Sequence, residues 1–425
     1  MNKKKMKIAV VGLGYVGFPL AVEFAKQGIP VVGIEIDHGR LQHIKRRESY
    51  ITDITTRELR NVLKKNTFSA TSDFSVLKEC NTVLVCVPTP LKGKYLPDIS
   101  YIKDSFNSIA KNIEKGTLVI LESTTYPGTT EEVILPIFER QNLKHGKDFY
   151  LCFSPERIDP GNKDFPVSKI PKVVGGLNAE ATRRAVSLYK IIIDTVVPVS
   201  SPRAAETVKL LENTFRLINI GLIDELAMMA HKMKIDIWEV IKAASTKPFG
   251  FMPFYPGPGV GGHCIPKDPL YLYWKAKSFG FNSRFIRLAS DIIDYMPEYV
   301  IARIDEELLK RGISLKGANV LVVGATYKKD VEDLRKSPSL DIIRGLKKKG
   351  AKVFYFDPLI PYLNINQINL ESISLKKDKL RKFDCVVIAT DHSNIDYKYL
   401  LSASNLIFDT RNVYKNTDND KLVRL

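Results

Sequence analysis

A glycine-rich turn near the start of the chain restricts the fold more than any other sequence feature. The apolar run 7–11 leads into Gly12-Leu13-Gly14-Tyr15-Val16-Gly17, and the apolar run 31–34 ends at Glu35. Between a strand and a helix, such glycines permit a tight turn, close approach of a pyrophosphate, and close helix–strand packing. An acid after the second strand accepts hydrogen bonds from a ribose, which favours NAD over NADP. The segment predicts a parallel sheet that binds NAD, with the pyrophosphate at a helix N-terminus.

Three further apolar runs predict more strands of the same sheet: 82–87, 117–121 and 149–153. Thr89, Thr124 and Glu156 each follow the end of one of these runs. In open α/β sheets, ligands bind beyond the carboxyl ends of the strands. We therefore predict that these three side chains lie near a ligand. For Thr89, ordinary turn chemistry is an equally good explanation.

A helical region follows these strands. Apolar residues recur at helical spacing from about 204 to 232, and a second long helical pattern at 284–310 suits a connecting helix. Lys209 and Asn213 are four residues apart, so they share one helix face. Such a pair usually faces solvent, but its place in an otherwise apolar helix favours the lining of a ligand site. Three methionines favour packing in the core or between subunits: Met228, Met229 and Met233.

The stretch 249–269 contains five glycines and five prolines, too many for a helix or an inner strand. Loops of this length are usually functional or disordered, and the aromatic residues of this one favour an ordered loop. Cys264 lies within it, next to His263 and close to Lys267 and Asp268. Backbone N–H groups of the preceding glycines could stabilise an oxyanion on a carbon bonded to sulfur. We predict a reactive thiol; the alternative is a small buried apolar residue.

Strand and helix patterns alternate again towards the end of the chain. The predicted strands are 318–323, 352–356, 385–389 and 406–408. This part lacks G-x-G-x-x-G, so we expect it to bind something other than a dinucleotide. Lys328 and Arg411 follow strand ends and suit a phosphate or a nucleotide. The prediction is an α/β chain of two doubly wound Rossmann-like domains joined by a central helical region with a long connecting helix, at 1–200, 315–425 and 201–314 respectively.

The formal net charge of +17 would suit nucleic acid, a membrane surface or anionic small substrates. The lysines are scattered, and no basic helix interleaved with aromatic residues stands out, which argues against nucleic acid. No apolar run reaches the roughly 18 residues of a membrane span. The five cysteines form no C-x-x-C pair, so neither a zinc site nor disulfides are expected. These features predict a cytoplasmic protein without a metal.

Taken together, these motifs resemble the UDP-sugar 6-dehydrogenase family, which includes the UDP-glucose and UDP-N-acetylhexosamine 6-dehydrogenases. The resemblance covers nearly the whole chain and keeps the family's motif order. The matching stretches are 12–17, 86–90, 123–129, 154–161, 205–215, 259–269, 324–338 and 408–412. The resemblance implies NAD-dependent four-electron oxidation of sugar C6 to a uronic acid, for the synthesis of cell-surface polysaccharide precursors. It implies that the reaction passes through a thiohemiacetal and a thioester on Cys264.

The resemblance also implies a role for each matching residue. The predicted catalytic residues are Cys264, Lys209, Asn213, Asp268, Thr124 and Glu156. The cysteine matches the nucleophile, and the lysine and asparagine match a polar pair near the sugar and the oxyanion. The aspartate and threonine match groups that order a water, and the glutamate matches an acid associated with thioester hydrolysis.

Ligand-binding residues are implied in the same way. Those predicted for the cofactor are Gly12, Gly14, Tyr15, Val16, Gly17, Glu35, Arg40, Thr89, Thr124 and Arg335. Those predicted for the UDP-sugar are Glu156, Arg157, Lys209, Asn213, Phe251, Tyr255, Gly261, Lys328 and Arg411. The backbone of 251–255 matches a peptide that cradles the UDP. The family further implies a homodimer or larger homo-oligomer, formed through the helix that begins the central region.

Two stretches, 156–161 and 247–259, resemble the N-acetylhexosamine members of the family. The Asp-Pro-Gly-Asn sequence at 159–162 looks more like the UDP-N-acetylglucosamine enzymes than the UDP-N-acetylmannosamine ones. Two residues depart from this pattern, because Asp224 stands where Asn is usual and Lys267 resembles the UDP-glucose members. UDP-N-acetylglucosamine is the predicted substrate, with UDP-N-acetylmannosamine and UDP-glucose as alternatives. A non-catalytic nucleotide-sugar-binding protein is the alternative from another class.

Overall fold

A computed structural model describes residues 6–51, 53–93, 96–157, 167–365 and 367–425. The chain divides into two compact units. The first unit comprises Met1–Glu212 and Leu270–Phe281, and the second comprises Asn213–Pro269 and Asn282–Leu425. Each unit contains its own sheet, and the two sheets account for most of the described strands.

The first unit is built on an eight-stranded sheet. Its described strands are β1 (Ile8–Val11), β2 (Val31–Ile34), β3 (Phe68–Thr71), β4 (Thr82–Val85), β5 (Leu91–Lys92), β6 (Leu96–Pro97), β7 (Thr117–Leu121), β8 (Phe149–Phe153), β9 (Lys172–Gly176) and β10 (Val196–Val199). The sheet order is β10-β9-β8-β7-β4-β1-β2-β3, and β5 pairs with β6 in a separate hairpin. Neighbouring strands of the large sheet are parallel except for β8 and β9, which are antiparallel.

Helices cover both faces of this sheet. They are α1 (Gly17–Lys26), α2 (His38–Lys45), α3 (Thr56–Lys64), α4 (Ser100–Asn112), α5 (Leu135–Glu139) and α6 (Ala179–Tyr189). Alternate residues of β1 belong to different hydrophobic clusters: Ile8 and Val10 to one, Ala9 and Val11 to the other. A strand buried on both faces needs an unbroken apolar sequence, which explains why the predicted strands show no alternation of apolar and polar residues.

A 31-residue helix, α7 (Pro202–Lys232), begins in the first unit and ends in the second. It is followed by α8 (Ile237–Ala244), α9 (Asp268–Ser278) and α10 (Arg284–Leu309). Residues 250–267 form neither helix nor strand, as their glycine and proline content predicts. The two long helices therefore confirm the helical patterns at 204–232 and 284–310.

The second unit contains a five-stranded parallel sheet of order β12-β11-β15-β16-β17. Its strands and the hairpin β13/β14 are β11 (Asn319–Val323), β12 (Lys352–Phe356), β13 (Tyr362–Ile365), β14 (Ile368–Glu371), β15 (Cys385–Ile388), β16 (Ile407–Asp409) and β17 (Leu422–Arg424). The remaining helices are α11 (Pro338–Lys348), α12 (Lys377–Leu380) and α13 (Tyr397–Ala403). Val320 and Val322 pack into one cluster, and Leu321 and Val323 into another, so this sheet is also buried on both faces.

The predicted fold class is confirmed: the chain is α/β, with two Rossmann-like sheets and long helices between them in sequence. Every apolar run that predicts a strand forms one. Among the described residues, none of the helices combines the length and apolar character needed to cross a bilayer.

Candidate active site

The glycine-rich turn after β1 has the shape that a dinucleotide requires. Gly12 has φ of +88°, and a Cβ on it would lie 2.8 Å from the carbonyl oxygen of Cys86. A Cβ on Gly17, the first residue of α1, would lie 2.0 Å from the carbonyl oxygen of Gly12. A Cβ on Gly14 would meet only the Arg40 guanidinium, at 3.9 Å. The first and last glycines are therefore needed for packing, whereas Gly14 keeps a backbone surface open for a ligand.

The remaining residues of this turn lie at its exposed rim and at the helix start. Tyr15 is 52% exposed, and Val16 is the N-cap residue of α1, with no side chain capping the helix. The positive end of the helix dipole of α1 therefore favours a phosphate at this turn. The turn therefore fits NAD, the cofactor that the sequence predicts.

Glu35, at the end of β2, is buried and held by four donors. Its Oε2 accepts the Leu13 N–H at 2.9 Å and Nη1 of Arg40 at 3.0 Å. Its Oε1 accepts the N–H groups of Ile36 and Asp37 at 2.9 and 3.0 Å. The structure therefore brings together Glu35 and Arg40, two of the predicted cofactor residues, and fixes the carboxylate where an adenosine ribose would bind.

Two of the residues at strand ends lie in well-anchored turns. Thr89 is buried, and its carbonyl accepts a hydrogen bond from the Tyr271 hydroxyl. Thr124 is half-buried between the buried Ser123 and Thr125. The position of each of these two threonines is thereby set by its neighbours in the first unit.

A buried carboxylate on α7 fixes the turn that follows Thr124. Glu206 accepts the N–H of Gly128 at 2.5 Å, and the N–H and the hydroxyl of Thr130 at 2.9 and 2.7 Å. Burial raises the pKa of Glu206 to about 7, although these donors act in the opposite direction. Lys209, buried, follows on the same helix. Glu206 was not among the residues predicted from the sequence, and its helical spacing to Lys209 was the available signal.

Glu156 lies beside a buried group of charges that was not predicted from the sequence. Nζ of Lys172 is 2.5 Å from Oε2 of Glu122 and 3.4 Å from Oε2 of Glu156. The Tyr189 hydroxyl donates to the other oxygen of Glu122. Burial alone would lower the pKa of Lys172, but the two carboxylates prevail and raise it, so the ammonium stays charged. A lysine at the start of an apolar run was the only sequence signal for this group.

Arg157 is held on the rim of the same region. Its Nη1 donates to the carbonyl oxygen of Pro171 at 2.7 Å, and its Nη2 is 2.7 Å from Oε1 of Glu212. Its N–H donates to Oε1 of Glu156 at 2.6 Å. Glu156 and Arg157 are thus fixed together, whereas the rest of the subfamily motif, residues 158–161, lies outside the described residues.

In the second unit, the predicted nucleophile Cys264 shares one turn with Asp268, and Asn213 of α7 contacts that aspartate. Nδ2 of Asn213 donates to Oδ2 of Asp268 at 2.7 Å. The N–H groups of Asp268 and Lys267 donate to the carbonyl of Cys264 at 2.8 and 3.1 Å. Cys264 is exposed and Asp268, the first residue of α9, is buried. Lys209 lies one helical turn before Asn213, so both point from the same face of α7.

Two glycines just before Cys264 allow the chain to pack closely against the loop after β11. A Cβ on Gly261 would lie 2.4 Å from Cβ of Tyr327. Gly262 has φ of +84°, and its N–H donates to the carbonyl of Arg335 at 2.8 Å. The Arg335 guanidinium itself pairs with Asp333 at 2.6 Å. The predicted residue Gly261 therefore serves close packing of the thiol-bearing loop.

His263 and Lys267 form a basic pair beside Cys264. Nζ of Lys267 lies 2.9 Å from Nε2 of His263. Burial, followed by the charge of Lys267, lowers the pKa of His263 to about 4. Burial lowers the pKa of Lys267 to about 8, while Asp268 acts in the opposite direction. Lys267 can therefore exchange a proton near neutral pH, next to the predicted nucleophile.

The backbone before Cys264 is held against a cation of the second unit. Nε of Arg411 donates to the carbonyl oxygen of Ala389 at 2.8 Å, and a Cβ on Gly257 would lie 3.0 Å from Nη1 of Arg411. The N–H of Gly257 donates to Oδ1 of Asp224 at 3.0 Å. Asp224 therefore still accepts a hydrogen bond at the position where the family usually has Asn. Burial raises the pKa of Asp224 to about 8.

The other predicted substrate residues are more open. Phe251 and Tyr255 are 39% and 58% exposed, and Tyr255 stacks on Trp238 with ring centroids 6.1 Å apart. Lys328 is half-buried, and its carbonyl accepts a hydrogen bond from Oγ1 of Thr326 at 3.1 Å. Among the described residues, no group of three or more His, Cys, Asp or Glu side chains is placed to hold a metal ion.

Comparison with known proteins gives matches along nearly the whole chain. Three models of the UDP-glucose/GDP-mannose dehydrogenase family match in order: the NAD binding domain over 6–193, the central domain over 203–294 and the UDP binding domain over 321–416. UDP-N-acetyl-D-glucosamine 6-dehydrogenase from Pseudomonas aeruginosa is 42% identical over 359 residues, 84% of each chain.

UDP-N-acetyl-D-mannosamine dehydrogenase from Pyrococcus horikoshii is 35% identical over 420 residues, 96% of each chain. A solved structure of UDP-D-ManNAc dehydrogenase from Pyrococcus horikoshii is similar to this chain with a TM-score of 0.89. The two are 32% identical in sequence, and the match covers 99% of both chains. The likeness therefore extends to the whole fold.

Proposed function

Because the chain belongs to the UDP-glucose/GDP-mannose dehydrogenase family, we propose that it oxidises C6 of a UDP-N-acetylhexosamine to the uronic acid, with UDP-N-acetylglucosamine as the preferred substrate. The chain is an NAD-dependent UDP-sugar dehydrogenase. NAD supplies the hydride acceptor for the two oxidation steps. We expect the reaction to take place in the cytoplasm and to supply a precursor of a cell-surface polysaccharide.

One arrangement carries the catalytic part of this proposal. An exposed thiol and a buried carboxylate, Cys264 and Asp268, lie on the same turn, and Asn213 donates to that carboxylate at 2.7 Å. An aldehyde has no leaving group, so its oxidation to an acid benefits from a nucleophile that adds to the carbon. Addition of the Cys264 thiol gives a thiohemiacetal, and loss of a second hydride gives a thioester.

The other predicted residues then have distinct tasks. Lys209 and Asn213 stabilise the negative charge on the sugar oxygen during each hydride transfer, as donors on one helix face. Asp268 and Thr124 orient water, and Glu156 receives a proton from it. Attack of water on the thioester breaks the carbon–sulfur bond and returns the thiol of Cys264, giving the free uronic acid. We assign Lys328, Arg411 and the backbone of 251–255 to the UDP.

The subfamily assignment is supported by sequence likeness and by Arg157. One relative, which is 42% identical to this chain, is named as a UDP-N-acetyl-D-glucosamine 6-dehydrogenase. The acetamido group is neutral and needs a donor, and the Arg157 guanidinium is held in place by the carbonyl of Pro171 and by Glu212. The second candidate is a UDP-N-acetyl-D-mannosamine dehydrogenase, which the TM-score of 0.89 to such an enzyme favours.

We also propose a homodimer or larger assembly, formed through α7. Four large apolar residues of this helix are each at least 46% exposed: Leu211, Phe215, Leu222 and Met229. Their spacings of four, seven and seven residues place them on one helix face. An exposed apolar stripe of this kind suits contact with a second copy of the chain. The proposed dimer interface lies within the proposed central region, 201–314.

The test is the yield of NADH from a panel of UDP-sugars. With UDP-N-acetylglucosamine, each sugar consumed should give two NADH and one carboxylate, and kcat/KM should exceed that for UDP-N-acetylmannosamine and UDP-glucose. One NADH with free aldehyde would overturn the thioester mechanism. Higher kcat/KM on either other sugar would overturn the substrate assignment and leave the dehydrogenase in place.

A further inference from the structure

We propose that Lys172 is a positioning residue that fixes the Glu156 carboxylate for hydrolysis of the thioester on Cys264. This inference deepens the proposed function and rests on it, because it takes Glu156 as the group that receives the proton of the attacking water. Lys172 itself contacts neither substrate nor cofactor in this scheme. It acts through Glu156 alone.

The sheet topology places Lys172 next to Glu156. In β8 and β9, Cys152 pairs with Gly176 and Phe153 with Gly175 in the antiparallel sense. Continuing this register by three residues sets Glu156 opposite Lys172, the first residue of β9. A parallel β9 would place its first residue at the other edge of the sheet, away from the carboxyl end of β8. The antiparallel pair thus brings a cation to the edge where ligands bind.

The contacts form a chain that runs from rigid elements towards a loop. The Tyr189 hydroxyl, at the end of α6, donates to Glu122, which follows β7. Oε2 of Glu122 lies 2.5 Å from Nζ of Lys172, and this nitrogen lies 3.4 Å from Oε2 of Glu156. Glu122 follows β7 directly, whereas Glu156 lies three residues beyond the end of β8, further into its loop. The ammonium is therefore anchored on one side and holds the loop carboxylate on the other.

The carboxylates of Glu122 and Glu156 differ in how deeply they are buried, and this difference indicates different roles. The side chains of Glu122 and Lys172 are 0% and 7% exposed, whereas that of Glu156 is 13% exposed. Glu122 alone would suffice to neutralise the lysine. A buried ion pair on average stabilises a fold no better than well-packed apolar side chains. The extra contact with the more accessible Glu156 is thus better explained by orientation of that carboxylate.

Both oxygens of Glu156 are restrained in this arrangement. Oε1 accepts the N–H of Arg157 at 2.6 Å, and Oε2 faces Lys172. A base must hold one lone pair towards its water, because small misplacements lower rates steeply. In the step concerned, water adds to the thioester carbon and gives one proton to Glu156. The carbon–sulfur bond then breaks, and the proton passes to the departing sulfur of Cys264.

The variant Lys172→Met tests this role. Hydride transfers should proceed, so NADH should appear in a burst of about two per subunit. Steady-state kcat should then fall about 10- to 100-fold, because hydrolysis becomes limiting, with a smaller change in KM. Intact mass after acid quench should show the uronyl thioester on the protein. Lys172→Arg keeps the charge and should recover part of the hydrolysis rate.

Two further variants keep the test decisive. Lys169→Gln is the matched control, because Lys169 is exposed, pairs with Asp194 at 2.7 Å, and lies on the same segment. It should turn over like the wild type. Should Lys172→Met unfold because Glu122 is left as a buried unpaired charge, the double variant Glu122→Gln, Lys172→Met removes both charges. It should accumulate the same thioester.

The outcomes separate the two hypotheses. Wild-type protein that makes no NADH with any UDP-sugar would remove the proposed function, and the role of Lys172 with it. Active wild type together with a Lys172→Met or double variant that shows no bound thioester would overturn the positioning role alone. That includes a variant whose activity falls only because less of it folds.

Discussion

The turns after β1 and β11 have the same backbone conformation at their glycine but differ in the segments that follow them. Gly12 and Gly324 both have φ of +88°. In both sheets a carboxylate ends the next strand and accepts the N–H after the glycine, Glu35 at 2.9 Å and Asp357 at 2.6 Å. The same local signature of strand, glycine turn and acid is therefore built twice in this chain.

The segment after each glycine distinguishes the two turns. After Gly12, α1 begins at Gly17, so a helix N-terminus faces the turn directly. After Gly324, α11 begins only at Pro338, and the intervening loop carries Lys328. The first arrangement suits a pyrophosphate, and the second presents a side-chain cation instead. The glycine and acid set the turn, and we expect the position of the next helix to determine which ligand each turn binds.

Replacing either glycine by alanine should give the largest effect. A side chain at φ of +88° is strained, and the new Cβ would lie 2.8 Å from the Cys86 carbonyl in one turn and 2.5 Å from Thr390 in the other. Each variant should lose about 1–3 kcal/mol of unfolding free energy, measured by denaturant titration. Calorimetry should show that Gly12→Ala weakens NAD binding and that Gly324→Ala weakens UDP binding. Equal weakening of both ligands by Gly12→Ala would contradict two separate ligand sites.

Local spacing explains which features could be predicted from the sequence. The distance from Gly12 to Glu35 follows from one strand–helix–strand unit, and the Cys264–Asp268 contact is set within a single turn. Lys209 and Asn213 share a face because four residues make about one helical turn. Each of these inferences needed only contacts that are local in the sequence.

Contacts that depend on strand order could not be predicted from the sequence. Lys172 meets Glu156 only because β9 is antiparallel to β8, and a run of apolar residues does not reveal its direction. Asp357 follows β12 and His392 follows β15, and the two residues meet because these strands lie on either side of β11 in the sheet. In the chain, β13 and β14 separate β12 from β15. Lys172 and His392 were therefore missed because each partner follows a strand that only the sheet order brings close.

His392, which pairs with Asp357, should contribute more to the unfolding free energy than Arg40, which pairs with Glu35. Nε2 of His392 lies 3.1 Å from Oδ2 of Asp357, and both side chains are fully buried. Arg40 binds Glu35 at a similar distance, but its side chain is 36% exposed. We expect His392→Ala to cost about 1–3 kcal/mol of unfolding free energy, and Arg40→Ala less than about 1 kcal/mol. Similar losses, measured by denaturant titration, would show that burial does not distinguish the two turns.

The cost of His392→Ala should also depend on pH. Burial alone would raise the pKa of Asp357, but hydrogen bonds from His392 and from backbone N–H groups outweigh it and hold the pKa below its ordinary value of 3.8. Such a carboxylate stabilises the fold above its unfolded pKa, and this contribution disappears as the pH falls through the folded value. The penalty should therefore be complete near neutral pH and shrink below about pH 4.

The smallest expected effect concerns the choice between NAD and NADP at the first turn. Glu35 carries its charge where a 2′-phosphate would lie, and Arg40 is already engaged with it at 3.0 Å. The wild type should prefer NAD at least about tenfold in kcat/KM, about 1.4 kcal/mol. Glu35→Gln removes the repulsion and releases Arg40 towards a phosphate, so the preference should shrink. An unchanged preference in that variant would mean that the open backbone at Gly14, rather than the acid, selects the cofactor, and the two turns would then differ only in the helix that comes after them.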